Sequence, residues 1–218
     1  MTLNPDQLRA EFLGLTVRHD DVSLPREDLA IFFASVSERY GLNRFEYGPD
    51  GGATLSGPDG AEFGLRAASS ASCSVTGLGY REGVERVVGL MREAVERYAI
   101  GPMWIDDVTL VAVWDCELEE TAREVLADGV LRVEDERLEL LGGDEVAFGL
   151  RLWRRSGDAS IECAIEPMHA EPSKLYLRLV HTQTEPIADV AGLVEAADGL
   201  YEFLHGPLRA FVLARARR

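Results

Sequence analysis

The order of the predicted secondary-structure elements repeats along the chain, and this repetition restricts the fold more than any single motif does. Residues 15–22 read as a strand, residues 25–41 as a helix, and residues 43–77 as four short strands separated by turns rich in Gly, Pro, Asp and Ser. A second helix is predicted at about 80–100, where Gly101-Pro102 would stop it. The first part of the chain therefore reads as strand, helix, four strands and helix.

The same order returns in the rest of the chain. A strand, a helix, four strands and a closing helical stretch are predicted at 106–116, 117–129, 132–141, 145–153, 159–167, 174–183 and 187–216. We therefore predict an α+β fold made of two β-α-β-β-β-β-α halves, residues 1–102 and 103–218. The strands would form antiparallel sheet with the helices packed on one side, and a pseudo-twofold axis would relate the halves, which could be fused into one domain.

A shared tetrapeptide accompanies the repeated order. Phe-Gly-Leu-Arg occurs at 63–66 and again at 148–151. If the second hairpin is longer than the first, Cys73 and Cys163 take equivalent places in the two halves. Four identical letters also arise by chance in a chain of this length, so the order of the elements carries the inference of duplication.

This order of elements resembles the plan of the TATA-binding protein fold, in which two such halves join into one saddle-shaped sheet with helices on the convex side. The resemblance covers the whole chain as element order. It does not extend to DNA binding, because the net charge of −16 is opposite to what a surface for phosphates needs. What the resemblance implies is a sheet with helices on one side.

The closing stretch carries a second resemblance. In "LYEFLHGPLRAFV" the pair Leu204-His205 is followed by Phe211, a pattern similar to the closing helix of a sporadically distributed, functionally uncharacterised bacterial protein family. Pro207 departs from an ordinary helix interior, because it lacks an N–H donor and would kink or restart the helix. This resemblance implies no activity. A bacterial origin also fits the use of arginine over lysine, since Lys174 is the sole lysine.

Charge and cysteine content limit the partners and the compartment. The net charge of −16 argues against nucleic acid and anionic membranes as partners, and the acidic surface serves solubility or a basic partner. The sequence has no leader pattern and no apolar run long enough to cross a membrane, so a cytoplasmic protein is expected. Cys73, Cys116 and Cys163 lie in apolar contexts and are expected to be buried thiols.

Strand alternation predicts which residues the helices leave uncovered. If Phe63, Leu65, Phe148 and Leu150 face the helices, a set of neighbouring residues faces away from them. This predicted binding surface consists of Gly64, Arg66, Gly149, Arg151, Trp153, Glu162, Tyr176 and Arg178. Glycine within a strand often marks close approach by another backbone or a ligand. The alternative is an ordinary solvated sheet face whose arginines pair with Glu62 and Glu162.

The titratable residues form no recognisable catalytic or metal motif, and no cofactor or metal is expected. His181 continues the alternation of the three leucines before it, so it is expected at the end of a strand on the side that faces the core. There it would be a structural histidine or part of a pocket. His19 reads as a solvated strand end, His169 as a loop residue, and His205 as packing near Pro207. The neighbours Asp106 and Asp107 would point to opposite sides of a strand.

Two functions remain open from the sequence. The first is a non-enzymatic interaction module that binds a protein partner or a second copy of itself as a homodimer. The second is a small-molecule-binding protein or an enzyme with a pocket between the halves or under the C-terminal helix. That pocket would be lined by Arg151, Glu162, Tyr176, Arg178 and His181. A deep polar pocket favours the second function, and a flat self-complementary face favours the first.

Overall fold

A computed structural model describes residues 7–49, 51–67, 70–115, 121–131, 148–168 and 170–216, and the structural statements refer to these residues. The first half contains β1 (Leu8–His19), α1 (Arg26–Tyr40), β2 (Arg44–Tyr47), β3 (Ala53–Ser56), β4 (Glu62–Arg66), β5 (Ser70–Thr76) and α2 (Tyr80–Tyr98). The second half contains β6 (Met103–Asp115), α3 (Ala122–Glu124), a π-helical segment (Val125–Leu131), β7 (Leu150–Ser156), β8 (Ala159–Pro167) and β9 (Lys174–Gln183). It closes with α4 (Ala191–Phe203), a second π-helical segment (Leu204–Leu208) and α5 (Arg209–Ala216).

The nine described strands form one sheet in the order β2-β3-β4-β5-β1-β6-β9-β8-β7. Every neighbouring pair in this order is antiparallel. The α+β class is thereby confirmed. Since β1 pairs directly with β6, the sheet continues without a break across the boundary predicted at residue 102.

The helices α1, α2 and α4 pack against one side of this sheet, which we call the helix side. Phe32 of α1 contacts Phe63 of β4, with ring centroids 5.9 Å apart. Helix α2 contacts β1 and β5, and α4 contacts β6 and β9. Leu13, Leu110 and Leu179 lie opposite one another across β1, β6 and β9 and are buried under these helices.

Helix α1 illustrates how local sequence sets an element. Its apolar residues recur with helical spacing, and Leu29, Phe32 and Val36 are almost fully buried. The helix ends where Gly41 adopts a left-handed conformation with φ of 68°, and the Gly41 N–H donates to the Ser37 carbonyl oxygen. Among the described helices, none combines the length and the hydropathy of a membrane-spanning segment.

Several predicted boundaries differ from the structure. Strand β1 begins at Leu8 rather than at residue 15, and β7 begins at Leu150, so Gly149 precedes its strand. The helix predicted at 117–129 is, in its described part, a capping box of Thr121 and Glu124 that leads into the first π-helical segment. Cys116, His169 and the strand predicted at 132–141 lie outside the described residues.

Two predictions about individual residues are wrong. His19 is buried rather than solvated, because it shares the alternation of Leu15 and Val17 and pairs with Met103. The two Phe-Gly-Leu-Arg copies and the two cysteines do not occupy equivalent strands. Cys73 lies in β5, directly beside β1, whereas Cys163 lies in β8, which β9 separates from β6.

Candidate binding surface

The side of the sheet that faces away from α1, α2 and α4 is here called the open face. The strand registers align its residues in rows that cross the sheet. One row runs through Phe12, Val111, Arg178, Ala164 and Arg151. The adjacent row runs through Glu62, Ser74, Gly14, Thr109, Val180, Glu162 and Trp153. Residues far apart in sequence thus become neighbours on one surface.

A groove of about 590 Å³ lies across the middle of the open face, and we call it the central groove. Strands β4, β5, β1, β6 and β9 all contribute to it. Side chains that line it include Phe12, Thr16, Glu62, Ser72, Ser74, Asp107, Thr109, Val111, Tyr176 and Arg178. Hydroxyl groups, two carboxylates and one guanidinium therefore surround an apolar centre.

Phe12 and Gly14 form the apolar part of the groove. A Cβ atom at residue 14 would lie 2.7 Å from Cζ of Phe12, so only glycine lets the ring lie this close to β1. The register between β1 and β6 shifts between Ala10 and Phe12, which sets the direction of the Phe12 side chain. The Phe12 ring therefore fills the space that a side chain at position 14 would occupy.

A second register shift brings two carboxylates to the same face. Thr16 lies opposite Asp107 and Val17 lies opposite Ile105, so Asp106 is an extra residue in β6. Arg18 Nε pairs with Asp106 Oδ1 at 2.5 Å on the open face. The Thr109 hydroxyl donates to Asp107 Oδ1 at 3.2 Å. The expectation that Asp106 and Asp107 point to opposite sides is therefore wrong.

Arg178 is the basic group of the central groove. Its side chain is exposed, and within the described part of the chain it has no ion pair and no hydrogen bond. Tyr176 lies one row away on the same strand and is half-buried. Both residues belong to the predicted binding surface, and the structure puts them beside Phe12 and Val111 of the other strands.

Arg151, Trp153 and Glu162 form a second cluster on the open face, on β7 and β8. The Trp153 indole N–H donates to Glu162 Oε2 at 3.1 Å, and Arg151 Nε lies 3.3 Å from Glu162 Oε1. Trp153 nevertheless remains 65% exposed. An exposed ion pair of this kind contributes at most about 1 kcal/mol to stability. The cluster therefore orients the indole more than it stabilises the fold.

The remaining predicted residues lie around these two groups. Arg66 ends β4, opposite Ser70, and its side chain is exposed. A Cβ at Gly64 would lie 2.9 Å from Ser72 Oγ, and one at Gly149 would lie 2.7 Å from Glu166 Cγ. At both glycines the close approach is thus made by neighbouring side chains of the same chain.

The side chains of Cys73, Cys163 and His181 lie on the helix side of the sheet. Burial raises the pKa of the Cys73 and Cys163 thiols to about 12, so both stay protonated at neutral pH. His181 shares the alternation of buried Leu177 and Leu179, and burial lowers its pKa. In the described ranges, no three His, Cys, Asp or Glu side chains are grouped so as to hold a metal ion.

The predicted binding surface includes Tyr176 and Arg178 of the central groove but none of the groove residues on β1 and β6. Phe12 and Gly14 precede the predicted strand, which starts at residue 15. A signal was present, because Leu13, Leu15 and Val17 alternate with smaller or polar residues. Asp107 was missed for another reason, since a register shift leaves no mark in the alternation of a single strand.

The fold and this surface define an α+β protein whose antiparallel sheet is covered by helices on one side and carries a groove open to solvent on the other. No protein-family model matches the sequence, and no curated protein matches it either.

Proposed function

We propose that the protein is a non-enzymatic binding protein that receives a protein partner on its open face. The observation that carries this proposal is the central groove, to which five strands contribute. A surface built on paired strands holds its shape before a partner arrives, so binding costs little ordering free energy. Because the groove is open to solvent, it can receive the surface or an extended segment of another protein.

Arg178 and Phe12 indicate the chemistry of the proposed partner. The guanidinium of Arg178 is exposed and lacks an ion pair within the described part of the chain, while Phe12 and Val111 continue its row across the sheet. Arginine and aromatic side chains anchor protein interfaces more often than other residues. We propose that the partner presents a carboxylate to Arg178 and an apolar side chain to Phe12.

The experiment compares two charge reversals on opposite sides of the molecule. Arg178→Glu changes the central groove, and Arg81→Glu changes an exposed residue of α2. With a partner captured on the full chain and then purified, Arg178→Glu should weaken the affinity at least about tenfold, which corresponds to the loss of a charge-assisted contact. Arg81→Glu should leave it unchanged. Equal effects of the two variants would contradict the proposal.

Self-association is distinguished by the same variants. If the partner is a second copy of the chain, sedimentation equilibrium should give twice the 24.0 kDa mass for the unmodified protein and for Arg81→Glu. Arg178→Glu should then be a monomer. If all three proteins are monomers, the partner is a different protein rather than a second copy of the chain.

A small ligand in the central groove is the second candidate function. The volume of about 590 Å³ lies within the range of roughly 300–1,000 Å³ that ligand pockets occupy. The hydroxyl groups of Thr16, Ser72 and Thr109 supply hydrogen bonds beside the apolar ring of Phe12. Native mass spectrometry of the freshly purified chain tests it, since a bound ligand adds a defined mass that Arg178→Glu removes.

We propose in addition that the two halves are internal repeats related by a pseudo-twofold axis between β1 and β6, as in the TATA-binding protein plan. The strand order supports this, since β1, β5, β4 and β3 run outward on one side and β6, β9, β8 and β7 on the other. The helix contacts also support it, because α2 lies on β1 and β5 as α4 lies on β6 and β9. In an experimental structure, a rotation near 180° should superpose the two sets of strands.

The proposed location is the cytoplasm of a bacterium. The buried thiols of Cys73 and Cys163 suit a reducing compartment, and the composition suits a GC-rich genome. With a net charge of −16, neither nucleic acid nor an anionic membrane is proposed as a partner. Fractionation of cells that express the full chain tests the location.

A further inference from the structure

Strand β7 forms one edge of the sheet. It comes last in the order of the nine described strands, and among these strands it pairs with β8 alone. The opposite edge strand, β2, has four residues, whereas β7 has seven. Strand β7 also lies outside the central groove, whose lining residues come from β4, β5, β1, β6 and β9. The β7 edge is therefore a separate part of the surface.

The turn after β7 fixes the hydrogen-bonding pattern of this strand. Gly157 and Asp158 separate β7 from β8, and Gly157 has the positive φ of 62° that a two-residue hairpin turn requires. The residues on either side of the turn, Ser156 and Ala159, are partners in the ladder. They form a hydrogen-bonded pair, because the carbonyl of the first residue in such a turn accepts from the N–H of the fourth.

The backbone groups of Arg151, Trp153 and Arg155 point away from β8, toward the edge. Hydrogen-bonded and non-hydrogen-bonded pairs alternate along an antiparallel ladder, and these three residues take the non-hydrogen-bonded places counted back from Ser156. Their side chains share the open face and are exposed, Trp153 to 65%. A strand added to β7 would meet unpaired N–H and C=O groups beside two guanidinium groups and an indole.

The charge of β7 is opposite to that of the whole chain. The strand contains Arg151, Arg154 and Arg155 and no acidic residue, whereas the chain has a net charge of −16. Arg151 pairs with Glu162 of β8, but no ion pair joins Arg154 or Arg155 to another described residue. The β7 edge therefore keeps positive charge that the described residues do not compensate.

These arginines disfavour a second copy of the chain as the occupant of the edge. In an antiparallel pairing of two β7 strands centred on Trp153, Arg151 of one molecule would lie opposite Arg155 of the other. Like charges directly opposite each other on neighbouring strands are destabilising, and opposite charges are stabilising. The charge of the edge thus selects an acidic strand.

We propose that the β7 edge binds an acidic, extended segment of another protein, which adds to the sheet as a further antiparallel strand. Carboxylates of the segment lie opposite Arg151 and Arg155, and an aromatic or aliphatic side chain between them lies opposite Trp153. Main-chain hydrogen bonds to β7 supply affinity, and the alternate side chains supply specificity. This site is independent of the partner proposed for the central groove.

A short synthetic peptide, Thr-Glu-Val-Tyr-Val-Glu-Thr with blocked ends, tests the proposal on the full chain. Amide NMR titration should shift the signals of Arg151, Trp153 and Arg155. The same peptide with lysine in place of both glutamates should bind at least about tenfold more weakly, because its charges repel the arginines. Equal affinities of the two peptides would overturn the proposal.

Two N-methylated peptides test the main-chain hydrogen bonds. In antiparallel pairing the tyrosine N–H points to β7, so its methylation should weaken binding at least about tenfold. The N–H of the following valine points away from β7, and methylation there should have little effect. Equal losses for the two methylated peptides would show that the peptide does not add as a strand.

Three charge reversals locate the peptide. Arg155→Glu should weaken binding of the acidic peptide at least about fivefold. Arg44→Glu changes the opposite edge, where Arg44 pairs with Glu46, and should leave the affinity unchanged, as should Arg178→Glu in the central groove. Loss of binding in Arg178→Glu but not in Arg155→Glu would place the peptide in the central groove and overturn the proposal. A dimer of the unmodified chain that Arg155→Glu dissociates would also overturn it, since the occupant would then be a second copy.

Discussion

The ring of Phe12 lies directly against the backbone of Gly14, two residues further along the same strand. A Cβ atom at residue 14 would come within 2.7 Å of the ring. This contact couples the two positions and gives the central groove its apolar centre.

Gly14→Ala should displace the Phe12 ring and destabilise the fold by about 1 kcal/mol, because the displaced ring no longer packs against the β1 backbone. In a Phe12→Ala background the same substitution should cost close to nothing. A double-mutant cycle measured by urea unfolding gives the coupling, expected at roughly 0.5–1.5 kcal/mol. Additive effects of the two substitutions would show that the ring and residue 14 do not contact each other in solution.

The open face and the helix side should respond differently to truncation. Trp153→Ala combined with Tyr176→Ala removes side chains from the open face and should change the free energy of unfolding by no more than about 1 kcal/mol. Phe63→Ala removes a fully buried ring on the helix side and should cost about 3–5 kcal/mol.

The double variant also tests the proposed function. It should keep its fold by circular dichroism and lose the partner that the unmodified chain binds. A double variant that retains every partner and its oligomeric mass would exclude this part of the open face from the interface.

The pH dependence of stability should include a contribution from His181. Burial lowers the pKa of this imidazole in the folded protein, while Gln183 and Asp158 act in the opposite direction to a lesser extent. The unfolded chain then takes up a proton at higher pH than the folded chain. The associated stability is present above the unfolded pKa of about 6.5 and falls as the pH drops through the folded pKa, by at most about 1.4 kcal/mol per pH unit.

Urea unfolding of the unmodified chain and of His181→Gln, at several pH values from 7.5 to 5.5, measures that contribution. The unmodified chain should lose more stability over this interval than His181→Gln does. His205→Gln is a useful parallel, because burial and Arg209 also lower the pKa of His205. Identical slopes for all three proteins would mean that neither imidazole is held neutral by the fold.

The thiols of Cys73 and Cys163 should be inert in the native protein. With a pKa of about 12 against an ordinary 9.0, their thiolate fraction near pH 8 is lower by roughly a thousandfold, and the side chains are buried. In a Cys116→Ser background, Ellman's reagent should react with both at least about a hundredfold more slowly in buffer than in guanidinium chloride. Rapid labelling in buffer would contradict the burial of one of them.

The alternation of apolar residues was enough to predict most strands and the side that each residue faces. Phe63, Leu65 and Cys73 are buried as expected, whereas Arg66 and Arg151 are exposed. Alternation works here because each strand has one side against the helices and one against solvent. The class of fold follows from the same pattern.

Features that depend on pairing between strands were not predictable in this way. The register shifts at Phe12 and Asp107 place side chains that no single strand can indicate, because they arise from the partner strand. The Phe-Gly-Leu-Arg repeat led to the wrong equivalence, since β4 and β7 lie at different distances from the centre of the sheet. The sequence predicts a pocket under the C-terminal helix, but of the five residues expected to line it only His181 faces that helix. The other four lie on the open face.

The pairing of β1 with β6 has a consequence for the independence of the two halves. A chain cut after residue 102 would leave each fragment with a long strand edge of unsatisfied N–H and C=O groups, flanked by apolar residues. Such an edge pairs with any matching strand, including the same strand of another molecule. The halves are therefore bound to a common folding transition, and either one alone would be an aggregation-prone fragment rather than a smaller version of the protein.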